Sequence, residues 1–116
     1  MTQGKTIRTV LDECLAKAAT LTEMIDYAED SIVSKTILDK SVGTITLFAF
    51  AKGQKLSEHT TPYDAFVEVI EGRATLTIGG EVLHVPVGQI IIMPANIPHA
   101  VAADERFKML LTMIRA

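Results

Sequence analysis

His59 and His99 are the residues of this sequence whose type and setting could do chemistry. A neutral imidazole ligates transition metals, donates and accepts hydrogen bonds, and changes charge close to neutral pH. His59 lies in the stretch GQKLSEHTTPYDAFVEVIEG (53–72), ahead of a strand-like run that closes on Gly72; His99 ends a second stretch, GQIIIMPANIPH (88–99). As a pair facing one cavity, they read as metal ligands, as partners for a bound molecule, as an acid–base group, or as hydrogen-bonded structural residues. His84, inside EVLHVP, belongs to neither stretch and is assigned no chemistry. No Ser-His-Asp arrangement can be drawn, because Ser57, Thr60 and Thr61 lack an acid partner on the same face. Glu68 and Glu71 read as solvated carboxylates rather than an inward acid–base pair, and no glycine loop of the phosphate-binding kind is present.

Short strands must position these histidines. The 116 residues suit one domain, and with 48% apolar residues, four Phe and no Trp its core rests on Val, Ile, Leu and Met. Runs at 31–38, 42–50, 65–70, 74–78, 81–85, 89–93, 98–102 and 107–114 read as strands, each bounded by turn residues. Gly79-Gly80 is a two-residue hairpin signal, and Gly72 is expected to turn the chain in a similar way. The pattern predicts an all-β sandwich or barrel over 31–116, preceded by an N-terminal extension over 1–30. Within that extension residues 1–8 read as a loose lead-in. Val10, Leu11, Cys14, Leu15 and Ala18 have helical spacing and predict a short amphipathic helix packed on the barrel. Thr20 with Glu23 has the spacing of a capping box for a further helical turn.

Charge and cysteine usage narrow the partners. Eleven basic against fourteen acidic residues, a net charge of -3 and no Lys/Arg cluster argue against nucleic acid. A single cysteine, Cys14, excludes an internal disulfide and fits a reducing compartment. The first eight residues lack the apolar run of a signal peptide, and no stretch approaches the roughly 18 apolar residues of a membrane span. The expectation is an unprocessed, soluble cytoplasmic protein with no membrane partner.

The two histidine-bearing stretches resemble the motifs of the cupin superfamily, and the resemblance covers about residues 42–114. In the first motif Gly53 and His59 fall in place, Thr61 stands where a second histidine belongs, Ala65 replaces a glutamate, and Gly72 closes. In the second, Gly88, Pro94 and His99 match, Asn96 replaces a glycine, and Ala103 replaces an asparagine. Asn tolerates left-handed backbone, so the Asn96 turn is expected to survive. The resemblance implies a double-stranded β-helix (jelly-roll, cupin) barrel. It also implies a homodimer paired through outer sheet faces. In metal-binding members it implies three histidines and one glutamate around iron, manganese or a similar ion.

Only His59 and His99 of that set are kept, so a divalent transition metal is expected to be held weakly if at all. Period-two alternation turns Asp64 away from the face of Ala65, and Glu58 away from that of His59, so neither substitutes. Losing two ligands should leave a wider, more apolar cavity lined by His59, Thr61, Tyr63, Ala65, Val67 and His99, with Val69 in register, and with Pro62 and Tyr63 at its mouth. Met93, Met109, Met113, Phe48 and Phe50 read first as packing, with the lining of a hydrophobic cavity as the alternative. The expected function is non-catalytic binding of a small organic molecule, with no firmly held cofactor. The alternatives are a metal-dependent oxygenase or isomerase using His59 and His99, and an interaction module with a filled barrel.

Overall fold

The computed structural model describes residues 9–115. Among them nine strands form two antiparallel sheets: β1 Ile32–Lys40, β2 Gly43–Phe50, β3 Lys55–His59, β4 Ala65–Glu71, β5 Arg73–Ile78, β6 Glu81–Pro86, β7 Ile90–Met93, β8 His99–Ala102 and β9 Phe107–Ile114. One sheet runs β1-β2-β9-β4-β7 and the other β3-β8-β5-β6. From β4 onward the chain passes back and forth between the sheets, the winding of a double-stranded β-helix.

Alternation builds the core. In β4, Ala65, Val67 and Val69 are buried, while the intervening Phe66 and Glu68 are not. Ala74 and Leu76 of β5 and Val101 of β8 meet them from the opposite sheet. Phe50 and Phe107, opposite each other in β2 and β9, stack at 4.6 Å with their rings 12° apart. The strand β2 is buried on both faces, which explains its nearly continuous apolar sequence. Phe48 and Phe50 face inward, whereas Leu47 and Ala49 lie under Met24 and Ile25 of the N-terminal segment.

That segment covers the barrel without an α-helix. The predicted helix over 10–18 is replaced by a single 3-10 turn at Asp12–Cys14. Two local causes are visible. Val10 bridges to Leu38, and Leu11 N–H donates to Ile37 O at 2.9 Å, so the residues that would open the helix instead extend the edge of β1. Ala16 takes a left-handed φ of 57°, which ends any helix there. Leu11 and Cys14 do pack on the cover cluster, but Leu15 stays exposed. The second turn, at Leu21–Glu23, exists as 3-10 structure. The Thr20 side chain forms no cap there, and Glu23 N–H donates to the Thr20 carbonyl at 3.0 Å. Two lysines fasten the cover: Lys35 Nζ donates to Met24 O at 2.9 Å and the buried Lys108 Nζ to Thr22 O at 2.6 Å. Tyr27 donates to Glu71, and burial, reinforced by that hydrogen bond, pushes its phenol far above its usual range.

The eight strands read from the sequence are present, and β3 is a ninth. The Gly79-Gly80 hairpin is formed, with both φ values positive at 57° and 85°. Gly72 acts differently from a hairpin glycine, since it carries the chain from β4 in one sheet to β5 in the other. Its φ is +74°, and an added Cβ would lie 2.5 Å from the Arg106 carbonyl oxygen. Gly72→Ala combines a disfavoured backbone with a clash against main chain, and should lower the unfolding free energy by on the order of 2–3 kcal/mol. A denaturant midpoint unchanged from the parent would contradict this packing.

Candidate functional site

A single extra residue aims His59. Leu56 of β3 is opposite Val101 of β8, and His59 is opposite His99. Between those pairs β3 has Ser57 and Glu58 where β8 has only Ala100, so β3 carries a β-bulge. Unbroken alternation from the inward Leu56 would bring Glu58 inside and turn His59 out. The bulge restores His59 to the inner side at the rim, beside the buried His99, whose exposure is 3%. Their ring centroids are 4.4 Å apart, edge to face at 69°.

The tautomers follow from the hydrogen bonds. His59 Nδ1 lies 2.9 Å from Ser57 O, and His99 Nδ1 lies 3.3 Å from Ile97 O. A carbonyl oxygen only accepts, so each Nδ1 carries the proton and each neutral ring keeps its lone pair on Nε2. Burial, and secondarily the neighbouring His59, hold His99 below the usual imidazole pKa, against the opposing pull of its bond to Ile97. Burial thus favours an uncharged His99 ring, with its Nε2 electron pair available.

The rings border a cavity of about 50 Å³. Leu56, His59, His99 and Val101 line it from one sheet, with Thr61 at the following loop. Ala65, Phe48, Leu111 and the three methionines Met93, Met109 and Met113 line it from the other. Of the residues read from the sequence as a pocket, the structure thus brings together His59, Thr61, Ala65 and His99. Val67 is fully buried in the core and does not line the cavity, and Tyr63 does not line it either; its carbonyl accepts from Thr61 Oγ1 at 2.9 Å. The expected widening has not happened, because methionine side chains occupy the space. The sequence offers these thioethers and Phe48 as packing first and as cavity lining second, and the structure has them line the recess. Phe50 belongs to the aromatic stack.

The loop carrying Asn96 is tied across the mouth. Asn96 has the left-handed φ expected of it, 65°, and its N–H donates to Thr61 O at 2.7 Å. Asp64 is exposed, and its Oδ1 accepts from Ala95 N–H at 2.8 Å, so it supports this loop instead of the cavity. His84 is also exposed and away from the site; its Nδ1 donates to Thr75 Oγ1 at 3.2 Å, and Thr75 donates on to Asp104 at 2.7 Å. Larger concavities lie elsewhere, one of about 450 Å³ beside Lys55, Ser57 and Thr77, and neither histidine of the pair borders them.

A barrel of this winding, with a histidine pair between its sheets, is that of the cupins. The cupin domain model matches residues 46–114, and the chain belongs to this family. A conserved protein of unknown function from Streptococcus pyogenes is 35% identical over 98% of both chains, with a TM-score of 0.86. A cupin 2 conserved barrel domain protein from Leptotrichia buccalis is 40% identical over 80% of this chain, with a TM-score of 0.77; the match spans 45% of that longer chain. A cupin superfamily protein from Desulfitobacterium hafniense is 25% identical over 88% of this chain and 94% of its own, with a TM-score of 0.83. No curated protein matches the sequence. Among the described residues no group of three or more His, Cys, Asp or Glu side chains comes together in a way that could hold a metal ion. The ligand set implied by the family resemblance therefore does not fit this site. No helix among the described residues is long and apolar enough to cross a membrane.

His99 gives the protein a signed pH dependence. Its folded pKa lies below the unfolded value of 6.5, so in the window between them the unfolded chain binds more protons. Stability present above that window should fall as pH drops through it. Thermal unfolding of wild type and His99→Gln at a series of pH values from about 7 to about 5 measures this, and the variant should show the shallower loss. Parallel curves would contradict the buried, neutral assignment.

Proposed function

We propose that this cupin is a non-catalytic binding module whose cavity captures a small electron-pair acceptor at His59 and His99. One observation carries the reading. Both Nδ1 atoms are tied to backbone carbonyls and both rings line one apolar recess, so each ring in its neutral form has its lone pair on Nε2. The acceptor can be a hydroxyl or amine hydrogen, or an ion. The cavity of about 50 Å³ is far below the roughly 300 Å³ at which drug-sized pockets begin, so the recess takes a head group of a few atoms. Any larger body would extend past the exposed rim at His59. Catalysis is not favoured, since the Thr61 hydroxyl donates to Tyr63 O and no carboxylate lines the cavity to move a proton. We further infer a cytoplasmic setting, in which Cys14 stays a thiol, and pairing of two chains through an outer sheet face.

Methanol, small enough for the recess and able to donate one hydrogen bond, tests the reading by NMR. Titration should shift the ring signals of His59 and His99 and the methyl signals of the lining methionines, saturably, and these shifts should vanish in His99→Leu. Shifts that persist unchanged in the variant, or spread evenly over the barrel, would sink it.

A further inference from the structure

We propose that the electron-pair acceptor taken by this cavity is a soft monovalent cation, copper(I), held between the imidazoles of His59 and His99 and the thioethers of Met93 and Met113. The assignment rests on the binding reading above and deepens it. Its starting point is a juxtaposition that strand register creates. Ala65 of β4 is opposite Met93 of β7 on one side and Met113 of β9 on the other, so the order Met113–Ala65–Met93 crosses one sheet at a single level. Across the cavity, His59 and His99 are opposite each other in the second sheet. Met109 adds a third thioether to the same lining, and three of the five methionines of the chain thus border one recess.

The donor chemistry selects the ion. A thioether sulfur is neutral and polarisable, a poor ligand for oxygen-seeking ions and a good one for copper(I), while imidazole nitrogen serves copper as well. At the position where the family resemblance implies a carboxylate, this chain has Ala65 flanked by sulfur. Charge points the same way. No anionic side chain lines the cavity to neutralise a cation. The cost of transferring an ion into such a low-dielectric recess rises with the square of its charge, so a divalent ion pays about four times what a monovalent one does. Geometry agrees: a filled-shell copper(I) ion is satisfied by two to four donors without a fixed arrangement, whereas octahedral ions need six. The histidines are oriented for ligation, because each Nδ1–H is held by a backbone carbonyl and leaves Nε2 as the ligating nitrogen of the neutral ring.

The test uses the full chain under anaerobic conditions with ascorbate, titrating copper(I) against the chromogenic chelator bicinchoninate and following methionine methyl and histidine ring signals by NMR. Zinc(II) and methanol are titrated in parallel. Copper(I) should be retained at one ion per chain and shift Met93, Met113, His59 and His99. Met93→Leu/Met113→Leu, which conserves volume, should keep its melting temperature and the methanol-induced shifts of its His59 and His99 ring signals while losing copper(I) affinity about tenfold or more. Zinc(II), offered two nitrogens and no anion, should bind more weakly than copper(I). Loss of copper(I) to the chelator, or equal retention by the double variant, would overturn the assignment. If the double variant does not fold, silver(I), a redox-inert ion of the same softness, is titrated into wild type, and failure to move the Met93 and Met113 methyls overturns it equally. Methanol shifts without copper(I) binding would leave the binding reading standing and remove only the soft ion; no site-confined shift with any probe would remove both.

Discussion

The site depends on one extra residue in β3. A strand presents every second side chain to a given face, so the identity of the group at the barrel mouth is a matter of counting. Here the count is held at both ends. Gly53 N–H donates to Ala103 O at 2.7 Å and Ala103 N–H to Gln54 O at 2.9 Å, fixing where β3 begins. Beyond β3, Asn96 N–H on Thr61 O fixes where the chain leaves. Between those ties the bulge cannot slide, and imidazole rather than the Glu58 carboxylate meets His99. A local irregularity of the backbone thus sets the charge of the cavity.

The methionines then set its size. Removing a carboxylate and an imidazole from a barrel interior would leave a void, and voids in packed cores cost roughly 24 cal/mol per Å³. Long, unbranched thioethers from β7 and β9 fill that volume from the side of Ala65, which is why the recess is small. The same filling that stabilises the barrel also sets which atoms surround the histidine pair. Packing and chemistry are here one decision.

Much of this was legible in the residues. The apolar, β-branched runs from Ile32 onward and the turn glycines between them marked eight strands, and Asn96 was readable as a left-handed turn because few residues other than Gly tolerate one. The strand β3 escaped because KLSEH is polar, sits at a sheet edge, and is bulged, so its period of two is broken where a reader would look for it. The helix over 10–18 misled for a complementary reason: the spacing of Val10, Leu11 and Cys14 is helical, but Val10 and Leu11 pair with the distant edge of β1. His59 and His99 could be paired from their motifs. The row Met113–Ala65–Met93 could not, because it exists only in the register of three strands that lie far apart in sequence.

The fastening of the N-terminal cover has an implication for how that segment can change. Lys35 and Lys108 grip it through the carbonyls of Met24 and Thr22, atoms that every residue type supplies. Apart from the apolar contacts of Leu11, Cys14, Leu21, Met24 and Ile25, the Tyr27–Glu71 hydrogen bond and the Glu13–Lys35 ion pair, the cover is therefore recognised as a path and not as a text. The remaining side chains of the cover can be exchanged while its backbone stays moored, leaving the barrel beneath undisturbed.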